Sequence, residues 1–205
     1  MSYYRLEAIA SFVKGKSIID VGADHGELEV LLSKKDNVSS ILAVENKKGP
    51  FNNLVNKIKE ANLTKVTASY SNGLDDINNE IDTIIIAGMG GYQITNILMD
   101  GKYDIKNVKY LVLAPQGDHE LVRRVVSTLS FEIKDELVVI ENKKTYVVMY
   151  FERVEHAIHY KDNEYEYGLS GYSEKKKDLS IMNLKDSDSD LLKKKIRRIK
   201  RNEDK

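Results

Sequence analysis

Ser17-Ile18-Ile19-Asp20-Val21-Gly22-Ala23-Asp24-His25-Gly26 is the stretch whose reading decides the fold. Its first five residues form a short apolar run, which predicts a buried strand. Gly22 and Gly26 then mark a turn, and Glu27 to Ser33 reads as a helix with Leu28, Val30, Leu31 and Leu32 available to a core. Strand, glycine turn and helix make the opening unit of an open parallel sheet, in which ligands bind beyond the carboxyl ends of the strands.

Working outward, the alternation continues. Residues 3–14 predict an amphipathic helix with Leu6, Ile9, Ala10 and Val13 on one face, stopped by Gly15 in a left-handed conformation. Ile41–Glu45 is strand two, and Pro50 suits the first turn of a helix reaching Ala61. Val66–Tyr70, Asp82–Ala87 and Tyr110–Ala114 are strands three to five, with helices over Tyr92–Met99 and His119–Leu129. Phe131–Ile140 and Thr145–Phe151, joined by Glu141-Asn142-Lys143-Lys144, carry a hairpin signal. The sum is an α/β fold, a Rossmann-like and mostly parallel sheet with a terminal antiparallel strand. Two units are expected: a nucleoside-binding domain over 1–153 and a helical, partly basic extension over 154–205. In the second, Tyr160, Tyr165, Tyr167 and Tyr172 sit in a polar setting, and residues 158–205 read as peripheral. Asp186–Asp190 is a helix start, and 193–201 holds seven basic residues in nine.

Composition narrows the function classes. Apolar residues are 41% of 205, enough for a real core, and there is no cysteine. Thiolate metal sites, cysteine nucleophiles and disulfides are therefore excluded, and a reducing cytoplasm fits. The first residues lack an apolar signal core, and no apolar run has membrane-spanning length. No residue set suggests a metal. The net charge is zero, but 14 basic and 11 acidic residues fall from Arg153 onward, leaving the remainder net acidic. Polyanion contact is therefore expected to be local, with Lys193, Arg197 and Arg198 as candidate phosphate partners; a solvated helix face is the plainer reading of that run.

The turn at 20–26 can let a backbone approach a ligand closely. The dinucleotide fingerprint needs glycine at 22, 24 and 27, whereas Asp24 and Glu27 stand at two of those places. Asp20 and Asp24 would repel a pyrophosphate; they suit the ammonium and sulfonium of S-adenosylmethionine. Gly22, Ala23 and His25 complete that candidate cradle, although His25 could instead meet substrate and a structural role is the plainer reading of a lone histidine. Glu45, with Asn46 beside it, ends strand two where a carboxylate can accept hydrogen bonds from ribose hydroxyls. Asn72-Gly73 after strand three is a candidate contact for an adenine edge, or a mere turn. Gly88-Met89-Gly90-Gly91 after strand four leaves room for a substrate ring beside the cofactor, with Tyr92 next to it. A tight strand–helix junction is the alternative. Asp118-His119 reads most simply as a helix N-cap.

These motifs, together with Arg5-Leu6 in the first helix and Gly49-Pro50-Phe51 after Glu45, resemble the bacterial tRNA (adenine-22-N1)-methyltransferases over roughly residues 3–152. The resemblance implies a class I methyltransferase fold, S-adenosylmethionine as donor, no metal, and N1 of a tRNA adenine as acceptor. It also implies a C-terminal helical extension that helps to hold tRNA. In that setting Asp24 would accept a proton from the adenine amine, Arg5 would grip a phosphate or orient the base, and Tyr92 would stack on it over the Gly88–Gly91 loop. Asn72 stands where many relatives carry an acid, and the tail lacks sustained heptads. A monomer is favoured. The competing readings are a degenerate RNA-binding module of the same fold and a small-molecule methyltransferase.

Overall fold

The computed structural model describes residues 4–141, 144–173 and 178–179. Five parallel strands, β1 (Ser17–Val21), β2 (Ser40–Val44), β3 (Val66–Ser69), β4 (Thr83–Ala87) and β5 (Tyr110–Ala114), alternate with helices. These helices are α1 (Tyr4–Phe12) ahead of β1, then α2 (Glu27–Ser33), α3 (Lys48–Glu60), α4 (Gly91–Asp100) and α5 (His119–Thr128). The long hairpin strands β6 (Phe131–Glu141) and β7 (Lys144–Arg153) follow, and the sheet order is β3-β2-β1-β4-β5-β7-β6. The expected antiparallel strand is β7, which pairs antiparallel with both β5 and β6 and so lies one place in from the edge.

The central strands are apolar on both faces because both faces are covered. Ile84 and Ile86 of β4 join α4 and α5 in one core, with Ile94, Leu98, Val122 and Val126. Ile85 points the other way, to Ile9 and Phe12 of α1, Leu28 and Leu32 of α2, and Leu54 of α3. The alternating Cβ direction along a strand thus splits three consecutive isoleucines between two cores.

Three expectations are revised. Gly15 does not close α1: that helix ends at Phe12, and Gly15 is not among the residues with positive φ. Its missing side chain instead leaves room for the start of β4, since a Cβ there would lie 2.0 Å from Thr83 Oγ1 and 2.1 Å from Asp82 Oδ1. Second, α2 presents Leu28, Leu32 and an acid, Glu29, to the interior, while Val30 and Leu31 are only partly buried. Third, the tyrosines after the hairpin include packing residues. A short helix, α6 (Asp162–Tyr167), lies against α5. Tyr165 is buried there and meets Tyr160 edge-on, with ring centroids 5.4 Å apart. The Tyr160 hydroxyl accepts the Ile133 N–H at 3.0 Å.

A buried ion pair fastens this segment. Arg123 Nε of α5 donates to Glu136 Oε1 of β6 at 2.7 Å, and both side chains are essentially inaccessible. Arg123 Nη1 donates to the carbonyls of Tyr165 and Glu166, and Glu136 Oε2 accepts the Ser170 N–H at 2.8 Å. The expected basic helix, with Lys193, Arg197 and Arg198, lies outside the described residues.

Candidate functional site

The sheet order reverses between β1 and β4, and above that point lies a cavity of ≈ 770 Å³. A crevice at the carboxyl ends of the strands, where the order reverses, is where such sheets bind ligands, and its size suits a nucleoside-sized molecule. Parallel strands deliver the loops after β1, β2, β3 and β4 to one edge, so positions far apart in the chain converge there.

The turn after β1 needs its unusual backbone. Gly22 and Gly26 have φ of 84° and 73°, and Asp24 between them has φ of 49°. Side chains rarely adopt that region, which explains the glycines. The Gly22 and Ala23 N–H groups both donate to Val44 O, at 2.8 and 3.1 Å. Those two donors tie the turn to β2 instead of facing a ligand. Ala23 lines the cavity, yet its methyl belongs to the core on the α1–α3 face. Asp24 and His25 are exposed at the mouth, 3.6 Å apart, too far for a hydrogen bond.

Asp20 ends up in the floor, lining the cavity although only 3% exposed. Beside it, Glu29 has no exposure. Burial pushes the Asp20 carboxyl up to about 6, a rise opposed by its hydrogen bond with Glu29. Burial and then the neighbouring Asp20 charge hold Glu29 well above the usual carboxylate range. Two adjacent carboxyls out of water cannot both ionise, so the pair shares a proton.

Glu45 lies just beyond β2, nearly buried, with Oε1 accepting the Lys47 N–H at 2.9 Å. That bond sets the orientation of the carboxylate at the cavity wall. Asn46 Nδ2 donates to Asn72 Oδ1 at 3.0 Å and links the loops after β2 and β3.

The loop after β4 brings the N-terminal helix into the site. Gly88 has φ of 77°, and a Cβ on it would lie 3.6 Å from Arg5 Nη1. Arg5 itself lies over the Tyr146 ring, 5.2 Å from its centroid. The Met89 side chain reaches across to Gly22, where a Cβ would come within 2.5 Å of Met89 Cε. Gly90 has open space around it and lines the cavity. Gly91 does not line it: a Cβ there would meet Gly117 O at 2.6 Å, so this glycine serves the packing of α4 on the next loop. Tyr92 is two-thirds exposed on the first turn of α4, outside the cavity lining.

Several lining residues lay outside the sequence reading. Gln93, Asn96, Ile97 and Asp100 face the cavity from α4, at the spacing i, i+3, i+4, i+7 of one helix face. That periodicity was present in the sequence as a signal. Tyr146 and Glu29 carried none, because their roles depend on contacts with Arg5 and Asp20. Asp20, Asp24, Glu27, Glu45 and Asp100 give the lining five carboxylates against Arg5 and Lys47. Such a wall repels phosphates and attracts a cation. An acidic floor, a hydroxyl-accepting Glu45 and an open glycine loop fit S-adenosylmethionine, which carries an ammonium, a sulfonium and a ribose.

A family model described as a methyltransferase domain matches residues 3–149. Over 148 residues the chain is 29% identical to the tRNA (adenine(22)-N(1))-methyltransferase of Bacillus subtilis, a match covering 71% of this chain. The chain spans 62% of the length of that relative. A candidate tRNA methyltransferase of Mycoplasma genitalium is 27% identical over 154 residues, covering 73% of this chain and 69% of its own length. Among solved structures, a candidate tRNA (m1A22) methyltransferase of Streptococcus pneumoniae in complex with S-adenosyl-L-methionine superposes with a TM-score of 0.77. Its identity is 30%, and the match covers 82% of this chain and 79% of that one.

Proposed function

Because the chain belongs to the methyltransferase-domain family, and within it to the tRNA (adenine(22)-N(1))-methyltransferases, we propose that it transfers a methyl group from S-adenosylmethionine to N1 of adenine 22 in tRNA. The observation that carries this reading is the acidic cavity at the strand reversal, whose wall joins Asp20 and Glu45 to Arg5 and the open Gly88–Gly90 loop.

The residues divide the work as follows. Asp20 offers its carboxylate to the cofactor's ammonium, and Glu45 accepts from ribose hydroxyls. Asn46 and Asn72, tied to each other, frame the nucleoside end together with Gly73. Bound S-adenosylmethionine supplies a methyl already activated on a sulfonium. Adenine N1 has an in-plane lone pair and needs no deprotonation, so the chain's task is chiefly alignment. Because N1 lies on the base-pairing edge, the target adenine enters unpaired or withdrawn from its stack. Gly88 and Gly90 leave it space, Met89 and Arg5 flank that space, and Tyr92 stands at the rim as a stacking surface. Asp24, exposed at the mouth, is placed to accept the proton that the methylated base can lose.

Residues 154–205 are assigned the task of holding tRNA, with Lys193, Arg197 and Arg198 on phosphates, and the reaction belongs in the cytoplasm with its substrate. Deleting residues 190–205 is expected to weaken tRNA binding more than cofactor binding; equal tRNA affinity across a salt series removes that assignment. The deciding experiment is incubation with unmodified tRNA and methyl-labelled cofactor, followed by mass-spectrometric mapping. Label at N1 of adenine 22 is the expected result, and no transfer to any tRNA overturns the proposal.

A further inference from the structure

Glu29 takes no part in the reaction just described, yet it is a fully buried acid beside the cavity floor. No other residue donates a nitrogen or hydroxyl proton to either of its carboxyl oxygens among the described residues; apart from its own backbone N–H, its hydrogen-bond partner is Asp20. No cation pairs with either acid among the described residues. Another acid, Glu27 on the same helix, adds to the rise at Glu29, and Lys57 of α3 holds Glu27 at 2.8 Å. The backbone of Asp20 is clamped on both sides, in register with Ala43 of β2 and Ile85 of β4. Asp20 therefore cannot swing away from Glu29 by moving its strand.

We propose that Glu29 is a positioning residue that stays a neutral acid and donates its O–H to Asp20, fixing Asp20 as a single anionic acceptor aimed at a cationic amine in the cavity. This rests on the cofactor reading, because the amine is that of the methionine end of S-adenosylmethionine. The proton belongs on Glu29 because that residue lies deeper, beyond the reach of a ligand, whereas Asp20 lines the cavity. An arriving ammonium then supplies the counter-charge that the protein withholds. No proton changes hands on binding: the ammonium keeps its protons, and the Glu29–Asp20 pair keeps one. A buried carboxylate without a counter-charge is unfavourable in the unbound protein, and the ligand relieves that state. Attraction to the amine is correspondingly strong, because it acts out of water.

The conservative amide separates this role from mere packing. Glu29→Gln can donate an N–H to Asp20 as the neutral acid does, whereas Glu29→Met fills the same space without a donor. Calorimetry of the full chain with S-adenosylmethionine is expected to find Glu29→Gln within ~3-fold of the unsubstituted chain and Glu29→Met weaker by roughly 10- to 100-fold, the size of one hydrogen bond to a charged group. Thermal melting of each variant confirms that it folds. Infrared spectra of the protein alone at neutral pH are expected to show a protonated-carboxyl band that both substitutions remove. A missing band, a band that survives both substitutions, Glu29→Met binding like the unsubstituted chain, or Glu29→Gln as weak as Glu29→Met each overturns the inference alone. No binding by the unsubstituted chain overturns the cofactor reading and this inference with it.

Discussion

Two buried glutamates of this chain have opposite surroundings. Glu136 receives the Arg123 guanidinium on one oxygen and the Ser170 N–H on the other, and Arg123 spends a further nitrogen on two carbonyls of α6. Glu29 is just as deeply buried, yet its hydrogen-bond partner is another acid. The first arrangement satisfies both carboxylate oxygens and fastens the segment after the hairpin to α5 and β6. The second leaves a charge deficit facing the cavity. A buried acid supplied with every partner serves the architecture; one denied a cation next to a cavity is a candidate part of a binding site.

The largest expected effect tests the architectural side. Glu136→Ala strands Arg123 without its counter-ion and is expected to lower unfolding stability by about 3–5 kcal/mol. Denaturant melts read this, and limited proteolysis should cut the segment around α6 first. Glu29→Met, which removes an acid without stranding a cation, is expected to stay within about 1 kcal/mol at pH 8; equal losses in the two variants erase the contrast. Next, Asp20→Ala and Glu45→Ala are each expected to weaken cofactor binding roughly 10- to 100-fold with melting little changed. Wild-type-like calorimetric affinity in both removes them from the site.

Gly168→Ala sharpens the description of the Arg123–Glu136 pair. A Cβ there would lie 2.2 Å from Glu136 Oε2 and 2.4 Å from Arg123 Nε, at a backbone φ of 58°. A loss of about 2 kcal/mol is expected from overpacking and strain, and an unchanged midpoint of denaturation counts against this geometry. The smallest effect is a pH dependence at the Asp20–Glu29 pair. Asp20 moves from 3.8 to about 6 on folding, so within that window the folded chain holds a proton that the unfolded chain has released. The contribution of this group to stability is therefore full below the lower value and lost as pH rises through the upper one. Burial of Asp20 persists in Glu29→Met, so this dependence stays, but the variant loses the one carried by the raised Glu29 carboxyl and should therefore gain stability relative to the unsubstituted chain as pH rises from 4 to 8. Cofactor affinity should fall in the other direction, as acidification through about pH 6 neutralises Asp20; an affinity flat from pH 8 to 5 contradicts an ionised Asp20.

Much of this is legible in the sequence. The alternation of apolar runs with glycine turns predicts all five parallel strands to within a residue or so, because buried strands must be apolar and reversals need special backbone. Asp20, Glu45 and the Gly88 loop were recognisable because the carboxyl ends of parallel strands share one edge of the sheet. The misreadings share one cause. In a helix as short as α2, stripes of leucine and valine overlap, so periodicity alone did not say which one meets the sheet, and nothing in the pattern singled out Glu29. Gly15 looked like a helix stop because its real neighbour, Thr83, is remote in sequence.

By itself, then, the sequence determined the first five strands with the helices between them, their parallel run and the acidic character of the turn after β1. All of these follow from local periodicity and from residue chemistry within a few positions. Only the tertiary structure decided that Arg123 meets Glu136, that Arg5 meets Gly88 and Tyr146, and that Glu29 lies beside Asp20. Those pairings join different elements across the packed layers, and whether a buried charge finds a partner there is set by packing geometry rather than by neighbouring residues in the chain.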